Sequence, residues 1–88
     1  MLEKEFKIID KAGIHARPAT TLVQSVTNVS SEVNLEYNEK KVNLKSIMGV
    51  MSLGMTQGAK VKVIVSGSDE KETMEKITQT LKEQGLAE

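Results

Sequence analysis

From Lys60 to Gly67 the chain sets Val61, Val63 and Val65 on one side of a two-residue repeat, the period of a strand with one wet face. Three weaker versions of this pattern occur elsewhere. Leu2, Phe6 and Ile8 oppose Glu3, Glu5 and Lys7, with Lys4 interrupting the apolar row. Val33, Leu35 and Tyr37 share the apolar side of Glu32 to Tyr37. Lys41 to Leu44 reads as a short return strand after the two-residue turn Asn38-Glu39. Asn tolerates the positive φ such a turn requires, and Glu39 is a weaker choice there than Gly. Four strands that each keep a polar face cannot make a parallel sheet buried on both sides. They predict one antiparallel sheet, covered on one face and open on the other.

The cover comes from segments with helical spacing. Ala19, Leu22, Val23 and Val26 recur at that spacing from Ala16 onward, until Asn28 to Ser31 supply poor helix formers. Ser46 can cap a short helix running to about Leu53 and closed by Gly54. A last helix opens at Ser68-Asp69, with Glu72 spaced for a capping box. It carries Met74, Ile77 and Leu81 as its buried stripe and stops at Gly85. The order β-α-β-β-α-β-α predicts an α+β open-faced sandwich, a four-stranded antiparallel sheet with three helices on one face. Without repeat, linker or low-complexity tract, residues 1–88 are expected to form a single domain.

Composition narrows the chemistry. The 88 residues contain 12 Lys+Arg, 12 Asp+Glu, one His and no Cys. Without cysteine there is no disulfide framework, thiolate metal site or thiol nucleophile. A formal charge of zero argues against direct binding to nucleic acid or anionic membrane, which takes a basic excess. One histidine allows no multi-histidine metal site, so no metal is expected. Charges in the first residues and the lack of any membrane-length apolar stretch predict a soluble cytoplasmic protein with no membrane insertion. Any imidazole chemistry falls to His15.

His15 sits in Gly13-Ile14-His15-Ala16-Arg17-Pro18-Ala19, at the N-cap of the first long helix. Pro18 is tolerated in a first helical turn, where amide donors have no partner inside the helix. The free amides of Ala16 and Arg17 lie at the positive end of the helix dipole, a ready site for an anion. Arg17 adds a guanidinium suited to phosphate oxygens. An ordinary imidazole, with a pKa near ~6.5, has a large neutral fraction that can act as nucleophile near neutral pH. A phosphoryl group brings about −1.5 to −2 charges, which helix amides and a guanidinium can stabilise without metal. The same residues also have an ordinary structural use, as an exposed cap and a first-turn proline.

Taken jointly, Gly13 to Ala19 resembles the active-site segment of HPr, the histidine-containing phosphocarrier family of the bacterial phosphoenolpyruvate:sugar phosphotransferase system. Leu44 to Gly54, Leu-Lys-Ser-Ile-Met-Gly-Val-Met-Ser-Leu-Gly, resembles that family's second signature in its Gram-positive form. The resemblance spans essentially the whole chain. It implies that His15 accepts phosphate on Nδ1 from Enzyme I and passes it to IIA domains of sugar permeases, with Arg17 ordering the phosphoryl oxygens. It implies no cofactor, and a carrier acting as a monomer rather than an enzyme with its own small-molecule substrate. Thr20 joins Arg17 among the partner-binding positions it implies.

Ser46 has a plain role as a helix cap. The resemblance adds another, because this serine matches the one phosphorylated by HPr kinase/phosphorylase. The phosphoserine form in that family slows loading by Enzyme I and acts as corepressor with catabolite control protein A. A phosphate there would lie at a helix start near Lys45 and should be tolerated. Between Ile47 and Met55 six of nine residues are apolar, more than a short helix can bury. Val50 and Leu53 are expected in the core, whereas Ile47, Met48 and Met51 are expected to form an adaptable surface for successive partners. Glu39, Asn28 and Val29 depart from the family pattern, which bears on hairpin geometry and partner affinity.

Other readings stay open on the residues alone. A purely regulatory relative would act through Ser46, but such paralogues replace the histidine that is present here. A small hydrolase lacks a visible Ser–His–acid arrangement. A nucleic-acid-binding domain lacks the basic excess and interleaved aromatics it needs.

Overall fold

A computed structural model describes residues 1–88. The elements in chain order are β1 (Leu2–Lys7), α1 (Ala16–Val26), β2 (Glu32–Tyr37), β3 (Lys40–Asn43), α2 (Ile47–Ser52), β4 (Lys60–Ser66) and α3 (Glu70–Glu83). The strands form one sheet in the order β1-β4-β2-β3, with every pairing antiparallel. This is the expected open-faced sandwich. The return strand begins one residue earlier than the sequence suggests, at Lys40, because Asn38 and Glu39 both adopt positive φ, 52° and 66°, in a two-residue turn.

Register explains the two faces. Val61, Val63 and Val65 align with Phe6, Lys4 and Leu2 on β1, and Val63 and Val65 with Leu35 and Val33 on β2. These valines, Phe6, Val33 and Leu35 are buried in a 22-residue core with Val26, Leu44, Val50, Ile77 and Leu81 from the covering segments. Lys4 lies in this inward row at the sheet edge, where its ammonium stands 5.2 Å from the Phe6 ring centroid and donates to the Thr78 hydroxyl at 3.3 Å. Its long stem covers apolar surface while the charged end reaches α3. On the open face, Glu5, Lys62, Glu36 and Lys41 align across all four strands in alternating sign. Ile64 lies between Glu3 and Asn34 on that face and is nevertheless buried. Period-two reasoning assigns it to the wet side; its neighbours cover it.

The start of α3 departs from expectation and its end follows it. The capping box is not formed, because the Asp69 side chain makes no cap bond to its own helix. It turns instead to the α1–β2 connection and accepts from the Ser30 and Ser31 N–H groups, each at 2.9 Å. At the other end the Gly85 stop is realised: the Leu86 N–H returns to the Leu81 carbonyl at 2.9 Å, and the Gly85 N–H to Lys82 at 3.1 Å. That Schellman turn buries Leu86 beside the end of β1. There Ile9 donates to the Leu86 carbonyl at 2.9 Å, and Lys7 and Glu88 exchange backbone hydrogen bonds at 2.8 and 3.0 Å. No helix is long and apolar enough to cross a membrane.

Candidate functional site

The approach to His15 is fixed before the helix begins. Asp10 folds back on its own loop, its Oδ1 accepting the Ala12 N–H at 2.8 Å and its carbonyl accepting the Gly13 N–H at 2.9 Å. Gly13 has φ +72° and packs so closely on the stretch after α2 that a Cβ would sit 2.4 Å from the Met55 carbonyl oxygen. Ile14 then donates to that same carbonyl at 3.1 Å and buries its side chain. The loop is therefore anchored, and the next residue is turned outward.

His15 is the N-cap residue, extended at φ −112°, ψ −161°. Its carbonyl accepts the first helical bond, from the Ala19 N–H at 2.9 Å, while its ring makes no capping bond and is exposed. The Ala16 and Arg17 amides have no intramolecular acceptor at the open end of the helix. Pro18 is buried, pinning the first turn to the body of the protein. The Arg17 side chain is exposed and belongs to neither of the two ion pairs of the structure, Met1–Glu70 and Lys62–Glu3.

His15 and Arg17 share a shallow open cleft with Asp10, Pro18, Thr21, Gln84 and Leu86. Sequence reasoning found the first pair and missed four of the others. Asp10 lies in the loop before the motif, Thr21 lies beyond it on α1, and Gln84 and Leu86 lie near the opposite end of the chain. The Gly85 stop is the one local sign that the chain turns there. Thr20 stands outside this lining, half-buried, with its hydroxyl donating to the Ala16 carbonyl at 2.8 Å. That leaves its methyl group, not a free donor, for any contact outside.

Ser46 caps α2 as the sequence suggests: its Oγ accepts the Gly49 N–H at 3.1 Å and its carbonyl accepts the Val50 N–H at 3.0 Å. The neighbouring Lys45 is already engaged, its ammonium donating to the Val29 carbonyl at 2.9 Å. The apolar residues of α2 divide as expected. Val50 and Leu53 are buried, whereas Met48 is 80% exposed, Met51 41% and Ile47 38%. α2 packs beside α1, and Met55, just beyond α2, holds the loop that leads to His15. No cluster of three or more His, Cys, Asp or Glu side chains is placed to hold a metal ion.

An exposed imidazole at a helix start whose first amides are unpartnered, on an open-faced sandwich, is an arrangement suited to receiving an anionic group. The family model described as the PTS HPr component phosphorylation site matches residues 2–83. The histidine-containing phosphocarrier protein of Mycoplasma superposes with a TM-score of 0.94 at 35% identity, over 97% of each chain. HPr of Thermoanaerobacter tengcongensis gives 0.88 at 44% identity, over 93% of this chain and 92% of its own. Crh of Bacillus subtilis, described as a catabolite repression protein and a swapped dimer, gives 0.74 at 42% identity, over 94% and 95%. This chain belongs to the HPr family, the phosphocarriers of the phosphotransferase system that drives sugar transport.

Proposed function

We propose that His15 is the phosphoryl acceptor: its Nδ1 takes the group from phospho-Enzyme I and hands it to the IIA domains of sugar permeases. The observation that carries this reading is the freedom of the His15 ring beside unpartnered amides. In loading, the lone pair of Nδ1 forms a bond to phosphorus as the bond between phosphorus and the donor breaks, its electron pair leaving with the donor. The Ala16 and Arg17 amides and the Arg17 guanidinium face the charge that arrives. Unloading is the same exchange in reverse roles. The chain keeps nothing and turns over no small molecule of its own, so it acts as a carrier, in the cytoplasm and as a monomer of one domain, without a metal or organic cofactor.

Ile47, Met48 and Met51 supply the adaptable contact for these successive partners, with Arg17 and Thr20 at its border. Flexible side chains suit a surface that must fit several proteins in turn.

A second role is carried by Ser46. Its Oγ is half-buried at a helix start, and HPr kinase/phosphorylase would add a dianion beside the docking surface. The phosphate would repel acidic partners, slow loading by Enzyme I, and give catabolite control protein A a new handle to bind as corepressor. The likeness to Crh supports this regulatory branch, and the presence of His15 supports the carrier branch beside it.

His15→Ala, incubated with Enzyme I and phosphoenolpyruvate, is expected to take up no acid-labile phosphate while keeping its fold. Undiminished uptake in that variant would falsify the acceptor assignment. Incubation with HPr kinase and ATP should place acid-stable phosphate on Ser46; its absence removes the regulatory branch alone.

A further inference from the structure

Asp10 is the only anionic side chain of the His15 cleft, and it is held in place. Its Oδ1 accepts from Ala12 at 2.8 Å, and its own N–H points to the Leu86 carbonyl at 3.4 Å. A free surface carboxylate would swing into water; this one is half-buried and braced by its own loop and by the turn after α3. It has no cationic partner, since both ion pairs of the structure lie elsewhere. Arg17, the cleft's one cation, does not neutralise it by contact.

We propose that Asp10 sets the transfer potential of the carrier by keeping a fixed negative charge in the cleft where the phosphoryl group is loaded. The inference rests on His15 being the acceptor. Loading changes the charge of the cleft by about −1.5 to −2. Asp10 and the loaded imidazole line the same open cleft, so their negative charges repel across it through water and salt. Arg17 and the helix amides favour the loaded state; Asp10 disfavours it. A carrier needs both, because a group held too firmly is not passed on. Asp10 takes no proton and forms no bond in the exchange, so it acts on the equilibrium and not as a catalytic residue.

The alternative is that Asp10 only shapes the loop through Ala12. Asn keeps an acceptor for that N–H and removes the charge, whereas Ala removes both. Asp10→Asn, Asp10→Ala and the wild-type chain are incubated with a catalytic amount of Enzyme I, at a ratio of phosphoenolpyruvate to pyruvate that loads half of the wild type. Phosphohistidine is then quantified by phosphorus NMR. Both variants are expected to raise the ratio of loaded to unloaded protein by roughly threefold to tenfold, with the difference shrinking in concentrated salt. An Asn variant that matches the wild type overturns the proposal, whatever Ala does. A wild-type chain that takes no phosphate overturns the acceptor reading itself, so the two failures are distinct.

Discussion

The Asp69 carboxylate at the start of α3 binds Ser31 twice, accepting from both its backbone N–H and its hydroxyl, across 38 residues of sequence. Ser31 is buried, and its Cα and side chain pack against Gly67, the turn before α3. The pair fastens the α1–β2 connection to the helix that closes the sandwich.

The charged form of Asp69 is the one these bonds favour. The Ser31 hydroxyl and the Ser30 N–H lower its pKa from 3.8 to about 2. Between those values the unfolded chain binds more protons than the folded one, so stability falls as pH drops through that window. Asp69→Asn should be less stable than wild type in urea denaturation at neutral pH. The gap should narrow below pH 3.8 and be mostly closed by pH 2. A gap of constant size down to pH 2 would show that the charge contributes nothing.

Gly13→Ala brings two costs together. Its φ of +72° is strained for any residue with a Cβ, and that Cβ would press on the Met55 carbonyl. Chemical denaturation should register a loss of at least ~2 kcal/mol. Phosphate uptake should fall as well, because the displaced loop is the one that presents His15.

The opposite sign is expected at Glu39, which is exposed and held at φ 66° in the hairpin turn. Glu39→Gly should stabilise the fold by roughly 0.5–1 kcal/mol, the left-handed penalty less the added freedom of the unfolded chain. A lower midpoint in thermal unfolding would contradict this.

How far these features could be read beforehand depends on their reach along the chain. Strand faces, the split of Val50 from Met48, the Ser46 cap and the Gly85 stop are local, and repeat spacing or a single side chain announces them. The Asp69–Ser31 link is not local. A capping box and a long-range tie require the same residue type at the same place, and only the packed structure decides between them. The cleft behaves likewise: His15 and Arg17 belong to one heptapeptide, but Gln84 and Leu86 reach them only after the sheet has closed. Lys4, which spoils an apolar row in sequence, fits at an edge where its stem has surface to cover.

Ser46→Ala should cost about 0.5–2 kcal/mol by orphaning the Gly49 amide, and Ser46→Asp should recover most of it by restoring an acceptor. Urea titration of both variants reads the difference. Equal stability of Ser46→Ala and wild type would mean that the cap bond adds nothing.

Met48→Asp separates docking from folding. The side chain is 80% exposed near the start of α2, so stability should stay within about 0.5 kcal/mol. The rate of loading by Enzyme I should fall by roughly tenfold if this apolar face seats the donor, as a charge must then be buried on docking. A normal rate would place the docking surface elsewhere.

The turn after α3 has a consequence for which molecules can work at all. Leu86 is both a wall of the His15 cleft and the acceptor for the backbone that leads into it. Opening of that turn would take away one wall of the cleft from a distance, without touching His15.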